Sequence, residues 1–240
     1  MLIEAMSNPL DRPAASASVA AFLHKVASLP QAKPAGGRPG RLLFCVDATA
    51  SRQPTWDRAC QLQGDMFFAT KALGGLAVSL CYYRGYREMA ATPFLTDPAE
   101  LARRMAGVRC LGGQTQILRV LQHALNVTRA DPVNALIFVG DAMEEEIDPL
   151  CHAAGELGMR HTPAFMFHEG SDLRAGDAFR QIAKLSGGAY APFDAGSADA
   201  LRELLRAVAV YAAGGRAALA QLPGHAATRI AGQLPAPKGR

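Results

Sequence analysis

Arg41-Leu42-Leu43-Phe44-Cys45-Val46-Asp47-Ala48-Thr49-Ala50-Ser51 is an apolar run closed by an acid and, at alternate positions, two hydroxyls. The run Arg41–Val46 reads as a short buried strand. Asp47, Thr49 and Ser51 then emerge at its carboxyl end, where open α/β sheets bind ligands. Gly112-Gly113-Gln114-Thr115 supplies a further hydroxyl 68 positions after Asp47. A second apolar run, Ala135-Leu136-Ile137-Phe138-Val139-Gly140, ends in Asp141, 94 positions after Asp47. Two carboxylates and three hydroxyls from three loops make an all-oxygen set, the donor type preferred by a hard divalent cation such as Mg²⁺.

The combination resembles the metal-ion-dependent adhesion site (MIDAS) of von Willebrand factor A-type (VWA) domains. That pattern is DxSxS, then a Thr after a glycine pair, then an Asp ending a later strand. Here the first element is DxTxS, with Thr49 in place of the first serine, which keeps the hydroxyl and adds a methyl group. The resemblance continues through Leu185-Ser186-Gly187-Gly188-Ala189-Tyr190 and a helix from Ala198, and covers roughly Arg41 to Ala213. It implies an α/β, doubly wound, mostly parallel central sheet with one antiparallel edge strand and helices on both faces, a Rossmann-like VWA fold.

By the same resemblance, the metal residues are Asp47, Thr49, Ser51, Thr115 and Asp141. Neutral hydroxyls bind the ion without quenching its charge, while Asp47 and Asp141 hold metal-bound waters and orient the hydroxyls. Mg²⁺ is the expected ion, with Mn²⁺ and Ca²⁺ as alternatives. The ion then keeps one exchangeable position, which an Asp or Glu of a partner protein can fill. This implies a non-enzymatic, metal-dependent interaction module in a bacterial-type cytoplasm. Intracellular proteins of this kind serve multiprotein assemblies, including ones built around an AAA-type ATPase or a chaperone system.

Simpler roles exist for each residue. Asp47 can cap its loop, Thr49 or Ser51 can cap the next helix, and Thr115 can be the N-cap of a helix over Thr115–Arg129. Gly112-Gly113 can be only a turn. Glu144, Glu145 and Glu146 read foremost as a solvated acidic loop near the same rim, with contact to the metal or a second ion as the alternative. His161 and His168 flank a strand and read as surface residues, without zinc spacing.

An enzymatic alternative is a Mg²⁺-dependent phosphatase or phosphotransferase with Asp47 as nucleophile, as in haloacid-dehalogenase-type phosphatases. That class wants a second acid at the position of Thr49 and a lysine before its last acidic motif, and Ala135–Gly140 contains no lysine. No GxSxG elbow or GxxxxGK[ST] phosphate loop occurs, and Gly36-Gly37-Arg38-Pro39-Gly40 precedes a strand instead of following one.

With 240 residues, half of them apolar, the chain can bury one sizeable core. No apolar run approaches a membrane span, and the N-terminus lacks a secretory pattern. The odd, scattered set Cys45, Cys60, Cys81, Cys110 and Cys151 fits a reduced, cytoplasmic protein, with Cys45 and Cys81 inside buried strands. The net charge of +4 is uneven. Residues 1–41 carry five basic and two acidic side chains, residues 214–240 four basic and none acidic, which leaves the body at −3. So few charges without aromatic interleaving read as solvated flanks and argue against nucleic acid.

The organisation follows from periodicity and breakers. Residues 1–40 are expected to hold a disordered start, an amphipathic helix over Ser16–Leu29 and a Pro/Gly-rich linker. The VWA-like domain is expected over residues 41–213, and 214–240 as a mobile tail after Gly214-Gly215, punctuated by Pro223, Pro235 and Pro237. Within the domain, strands at Arg41, Leu76–Tyr83, Asn134–Asp141, His161–His168 and Ala189–Phe193 alternate with helices. Tyr86–Ala90 is expected to pair antiparallel with Leu76–Tyr83, and the first strand to lie in the middle of the sheet.

Overall fold

The computed structural model describes residues 38–193 and 198–235. The helix expected over Ser16–Leu29 and the ends of both flanks lie outside the described residues. The chain runs β1 (Gly40–Asp47), a 3₁₀ turn (Ala50–Arg52), α1 (Gln53–Thr70), β2 (Leu76–Arg84), β3 (Glu88–Ala91), α2 (Pro98–Ala106) and α3 (Ile117–Ala130). It continues through β4 (Ala135–Gly140), α4 (Ile147–Met159), β5 (Ala164–Glu169), α5 (Leu173–Ser186), β6 (Ala189–Phe193), α6 (Ala198–Gln221) and α7 (His225–Gln233).

One six-stranded sheet has the order β3-β2-β1-β4-β5-β6, so the first strand lies inside it. Every pairing is parallel except β2 with β3, the antiparallel edge. β4 and β5 are buried at every residue, which is why they read as continuous apolar runs: helices cover both faces of a parallel sheet. The period of two along β1 divides its side chains between two cores. Leu42, Phe44 and Val46 meet Trp56, Leu62 and Met66 of α1 together with α6 and α7. Leu43 and Cys45 meet α3, α4 and Phe179 of α5. Asp47 is next in the second series and stands in register with Tyr83 of β2.

Local signals set the helix starts. Asp97 caps α2 through Ala99 N–H at 2.8 Å with Pro98 in the first turn, and Asp172 caps α5 through Ala175 N–H at 3.0 Å. Trp56, 1 % exposed, anchors α1 on α2 by donating Nε1–H to Met105 O at 3.1 Å.

Two sequence expectations need correction. His168 is not a surface residue: β5 is interior, so His168 is buried, edge-on to Phe179, with Nδ1 2.9 Å from Tyr190 Oη. Residues 214–235 do not run out as a tail. Gly215 does break the helix, with φ 68° and ψ −166°, but helix resumes to Gln221 and again over His225–Gln233. Leu219, Ala226, Ala227 and Ile230 recur at helical spacing and are buried in the first core. The Gln233 amide bonds both Tyr190 N (2.8 Å) and Tyr190 O (2.9 Å), covering open backbone groups of edge strand β6. Among the described residues no helix is long and apolar enough to cross a membrane.

Candidate metal centre

The parallel order brings the ends of β1 and β4 side by side, so Asp47 and Asp141 leave the sheet at one edge. Asp47 is fully buried and ends in a local turn, its Oδ1 accepting from Thr49 N–H at 2.8 Å. Tyr83, also fully buried, donates its hydroxyl to Asp47 Oδ2 at 2.9 Å. Ser51 Oγ donates to Asp141 Oδ2 at 3.1 Å across the two loops. Each carboxylate oxygen of Asp47 thus takes one protein donor and retains acceptor capacity for a water.

The third loop is held in place by backbone. Leu111 N–H donates to Ala48 O at 3.0 Å and Gly85 N–H to Leu111 O at 3.3 Å. Gly113 lies so close to the β2–β3 turn that a Cβ would stand 2.0 Å from Gly85 O, which explains the glycine there. Thr115 is thereby delivered to the same edge, where it joins the loop after β4. Its N–H donates to Glu144 Oε2 and its Oγ1 accepts from Glu144 N–H, both at 3.0 Å.

The simple capping roles are not the ones adopted by the hydroxyls. No side chain caps the Ala50–Arg52 turn, and neither α1 nor α3 has a cap from its own N-cap residue. For α3 the cap comes from afar: Glu145 accepts from Ile117 N–H at 2.6 Å and Leu118 N–H at 2.9 Å. A carboxylate on the first-turn amides satisfies donors a helix leaves open and complements its dipole. Glu144 and Glu145 therefore tie two loops together, beyond the solvated role expected for them. Nothing within the Gln114–Arg119 stretch announces this cap, since the partner lies 27 and 28 positions away.

Two further residues escape a reading by motif. Arg52, next to Ser51, is 1 % exposed, and its Nη1 ion-pairs with Glu169 Oε2 at the end of β5. The same Nη1 stands 3.9 Å from Asp141 Oδ2. Glu169 also accepts from Thr55 Oγ1 at 2.5 Å. A basic residue after DxTxS announces its burial only through the partner 117 positions on.

The electrostatics follow from burial. Desolvation pushes the Asp47 carboxyl above its ordinary value, hydrogen bonds from Thr49 and Tyr83 pull it back, and the charge of Asp141 pushes it up again. Burial, and then the Asp47 charge, hold the Tyr83 hydroxyl well above its ordinary range. Asp47 is thus a carboxylate whose charge the fold alone does not fully compensate, which suits a nearby cation. Among the described residues no group of three or more His, Cys, Asp or Glu could hold a metal ion. A metal at this edge would depend on hydroxyls beside the two aspartates, and Ser51, Thr49 and Thr115 provide that donor chemistry.

No protein-family model and no curated protein matches the chain. Solved structures do. The SpRpn10 VWA domain is similar over 74 % of this chain and 98 % of its own, with 9 % identity and a TM-score of 0.54. The vWF domain of the type V pili tip protein Mfa5 from Porphyromonas gingivalis is similar over 71 % and 94 %, with 10 % identity and a TM-score of 0.53. Proximal thread matrix protein 1 from the mussel byssus, with a zinc-occupied MIDAS motif, is similar over 71 % of this chain and 45 % of its own, with 17 % identity and a TM-score of 0.54. At these identities the likeness is one of fold.

Proposed function

We propose, from this VWA-like fold, that the chain is a metal-dependent protein-interaction module. Asp47, Thr49, Ser51, Thr115 and Asp141 would hold Mg²⁺, with Mn²⁺ or Ca²⁺ as alternatives, and the ion would supply a Lewis-acidic position for an acidic side chain of a partner. The observation that carries the reading is the convergence of three loops on one sheet edge, with Ser51 Oγ bonded to Asp141 Oδ2 and fully buried Asp47 beside them. The zinc-occupied MIDAS of the mussel protein gives the fold a precedent for metal at such a motif.

The protein's part in binding is positional. Tyr83 and the Thr49 amide fix the Asp47 carboxylate, so its remaining lone pairs are presented in one orientation. Glu144 and Glu145 pin the Thr115 loop to the loop after β4, which holds hydroxyl and carboxylate donors in a common frame. Phosphoryl transfer through Asp47 is disfavoured by the same geometry. That chemistry wants a second acid two residues after the nucleophile, where Thr49 stands with its N–H donating to Asp47 Oδ1. Five free cysteines support a reducing, cytoplasmic setting.

The test is a pull-down from a cytoplasmic extract with Mg²⁺ or with a chelator, using wild type and Asp47→Ala. Proteins retained by wild type only with Mg²⁺ are the expected result, an AAA-type ATPase or chaperone component being a candidate among them. An identical set for both proteins in both buffers would refute the reading.

A further inference from the structure

Resting on the metal-site reading above, we infer that Arg52 is a resident counter-cation that sets the affinity of this edge for a divalent ion and keeps it low. Among the described residues, Arg52 is the one lysine or arginine that is buried. Its position is fixed from both sides of the site. It follows Ser51 directly, and its Nη1 meets Glu169 at the end of β5 while lying 3.9 Å from Asp141 Oδ2. Glu169 is itself 7 % exposed and also accepts from Thr55, so the guanidinium cannot leave without stranding a buried carboxylate.

The pairing is unusual for a purely structural arginine. Buried arginines commonly engage a carboxylate with two nitrogens. Here Nε and Nη2 have no hydrogen-bond partner among the described residues, and Nη1, the one engaged nitrogen, is also the one nearest Asp141. The guanidinium charge is shared between Glu169 and Asp141, and its share at Asp141 lowers the negative potential a metal ion would use. Because the side chain is buried, salt screens the effect little. A divalent ion must therefore bind against Arg52, and a partner carboxylate would add the negative charge that restores the balance.

Calorimetric titration of the full chain with Mg²⁺ or Mn²⁺ alone tests this. Arg52→Met should bind about tenfold tighter or more than wild type, the order expected for removing a fixed charge sheltered from solvent. Arg52→Lys, which keeps the charge, should stay near wild type. Glu169→Gln, which leaves Arg52 uncompensated, should bind more weakly, so that the two neutralising substitutions move affinity in opposite directions. The Arg52→Met gain should persist in high salt, unlike any change in Arg84→Met, whose partly exposed side chain pairs with Glu88. A merely structural arginine would weaken binding in both variants, and that result, or equal affinity of Arg52→Met and wild type, overturns the inference while leaving the site standing. If Arg52→Met does not fold, Glu169→Gln against Arg52→Lys decides it: weaker binding in the first alone supports the inference, and equal binding overturns it. A metal response absent from wild type and every variant overturns the site itself.

Discussion

The two edges of the sheet close in opposite ways. At the amino ends of the parallel strands the chain closes backbone to backbone. A Cβ on Gly40 would stand 2.4 Å from Ala212 O, one on Gly188 2.0 Å from Ala164 O, and one on Gly158 2.4 Å from Leu185 O. The buried hydroxyls there pair with backbone, as with Ser186 Oγ accepting from Ala164 N–H and Thr162 donating to Val133 O, and the ion pair Arg41–Asp131 is partly exposed. At the carboxyl ends the chain closes over charge: Asp47, Arg52 and Glu169 are all buried, and Nε and Nη2 of Arg52 have no hydrogen-bond partner among the described residues. The amino edge keeps its charged groups partly in solvent. The other stores electrostatic imbalance that a ligand can relieve, and it is there that low identity to other VWA-like folds leaves room for individual chemistry.

The comparison breaks first at Arg52. Arg52→Ala should destabilise the fold by about 3–5 kcal/mol, because it leaves Glu169 buried without its partner. Replacing both residues, as Arg52→Met/Glu169→Leu, should recover most of that loss, since an apolar pair of similar volume is often neutral. Urea denaturation measures both, and a double variant as unstable as the single would show that the pair is not the cause.

Ile230→Ala comes next, with an expected cost of about 2–5 kcal/mol for a cavity under α7. A cost near zero would return residues 214–235 to the status of a tail. At the amino edge, Gly188→Ala should cost about 1–3 kcal/mol by forcing apart two backbones that no side-chain rotation can separate. It should leave the metal response of the folded protein unchanged, and a loss of that response would join the two edges functionally.

The smallest effect carries a sign. The Asp47 carboxyl is raised from its ordinary 3.8, so its protonated form suits the metal-free fold better. Its contribution to stability is full below that ordinary value and is lost as pH rises through the folded one. Metal-free Asp47→Asn should therefore unfold at a higher temperature than wild type at neutral pH. The gap should close as pH falls toward the ordinary carboxylate range. A gap that widens on acidification would mean the hydrogen bonds from Thr49 and Tyr83 outweigh desolvation.

What could be read from the chain follows the range of the interactions. Runs such as Leu42–Val46 and Ala135–Gly140 announce buried parallel strands locally, and their closing acids mark the edge where they meet. Asp97-Pro98 announces a helix start in the same way. The Arg52–Glu169 pair, the Glu145 cap on α3 and the Tyr83 bond to Asp47 each join positions between 27 and 117 apart, so no local pattern carries them. The burial of His168 follows from the interior place of β5, between β4 and β6, which alternation along one strand does not reveal. For α7 the signal is local: Leu219, Ala226, Ala227 and Ile230 keep helical spacing, although Gly214-Gly215 and Pro223 interrupt the run.

Metal binding through the five oxygen donors is tested most directly by thermal unfolding with and without Mg²⁺ in wild type, Asp47→Ala and Thr115→Ala. Wild type should gain stability with rising Mg²⁺, by the mass-action dependence of a ligand that binds only the folded state, and both variants should not. Equal Mg²⁺-dependent stabilisation of all three proteins would contradict the assignment of the site.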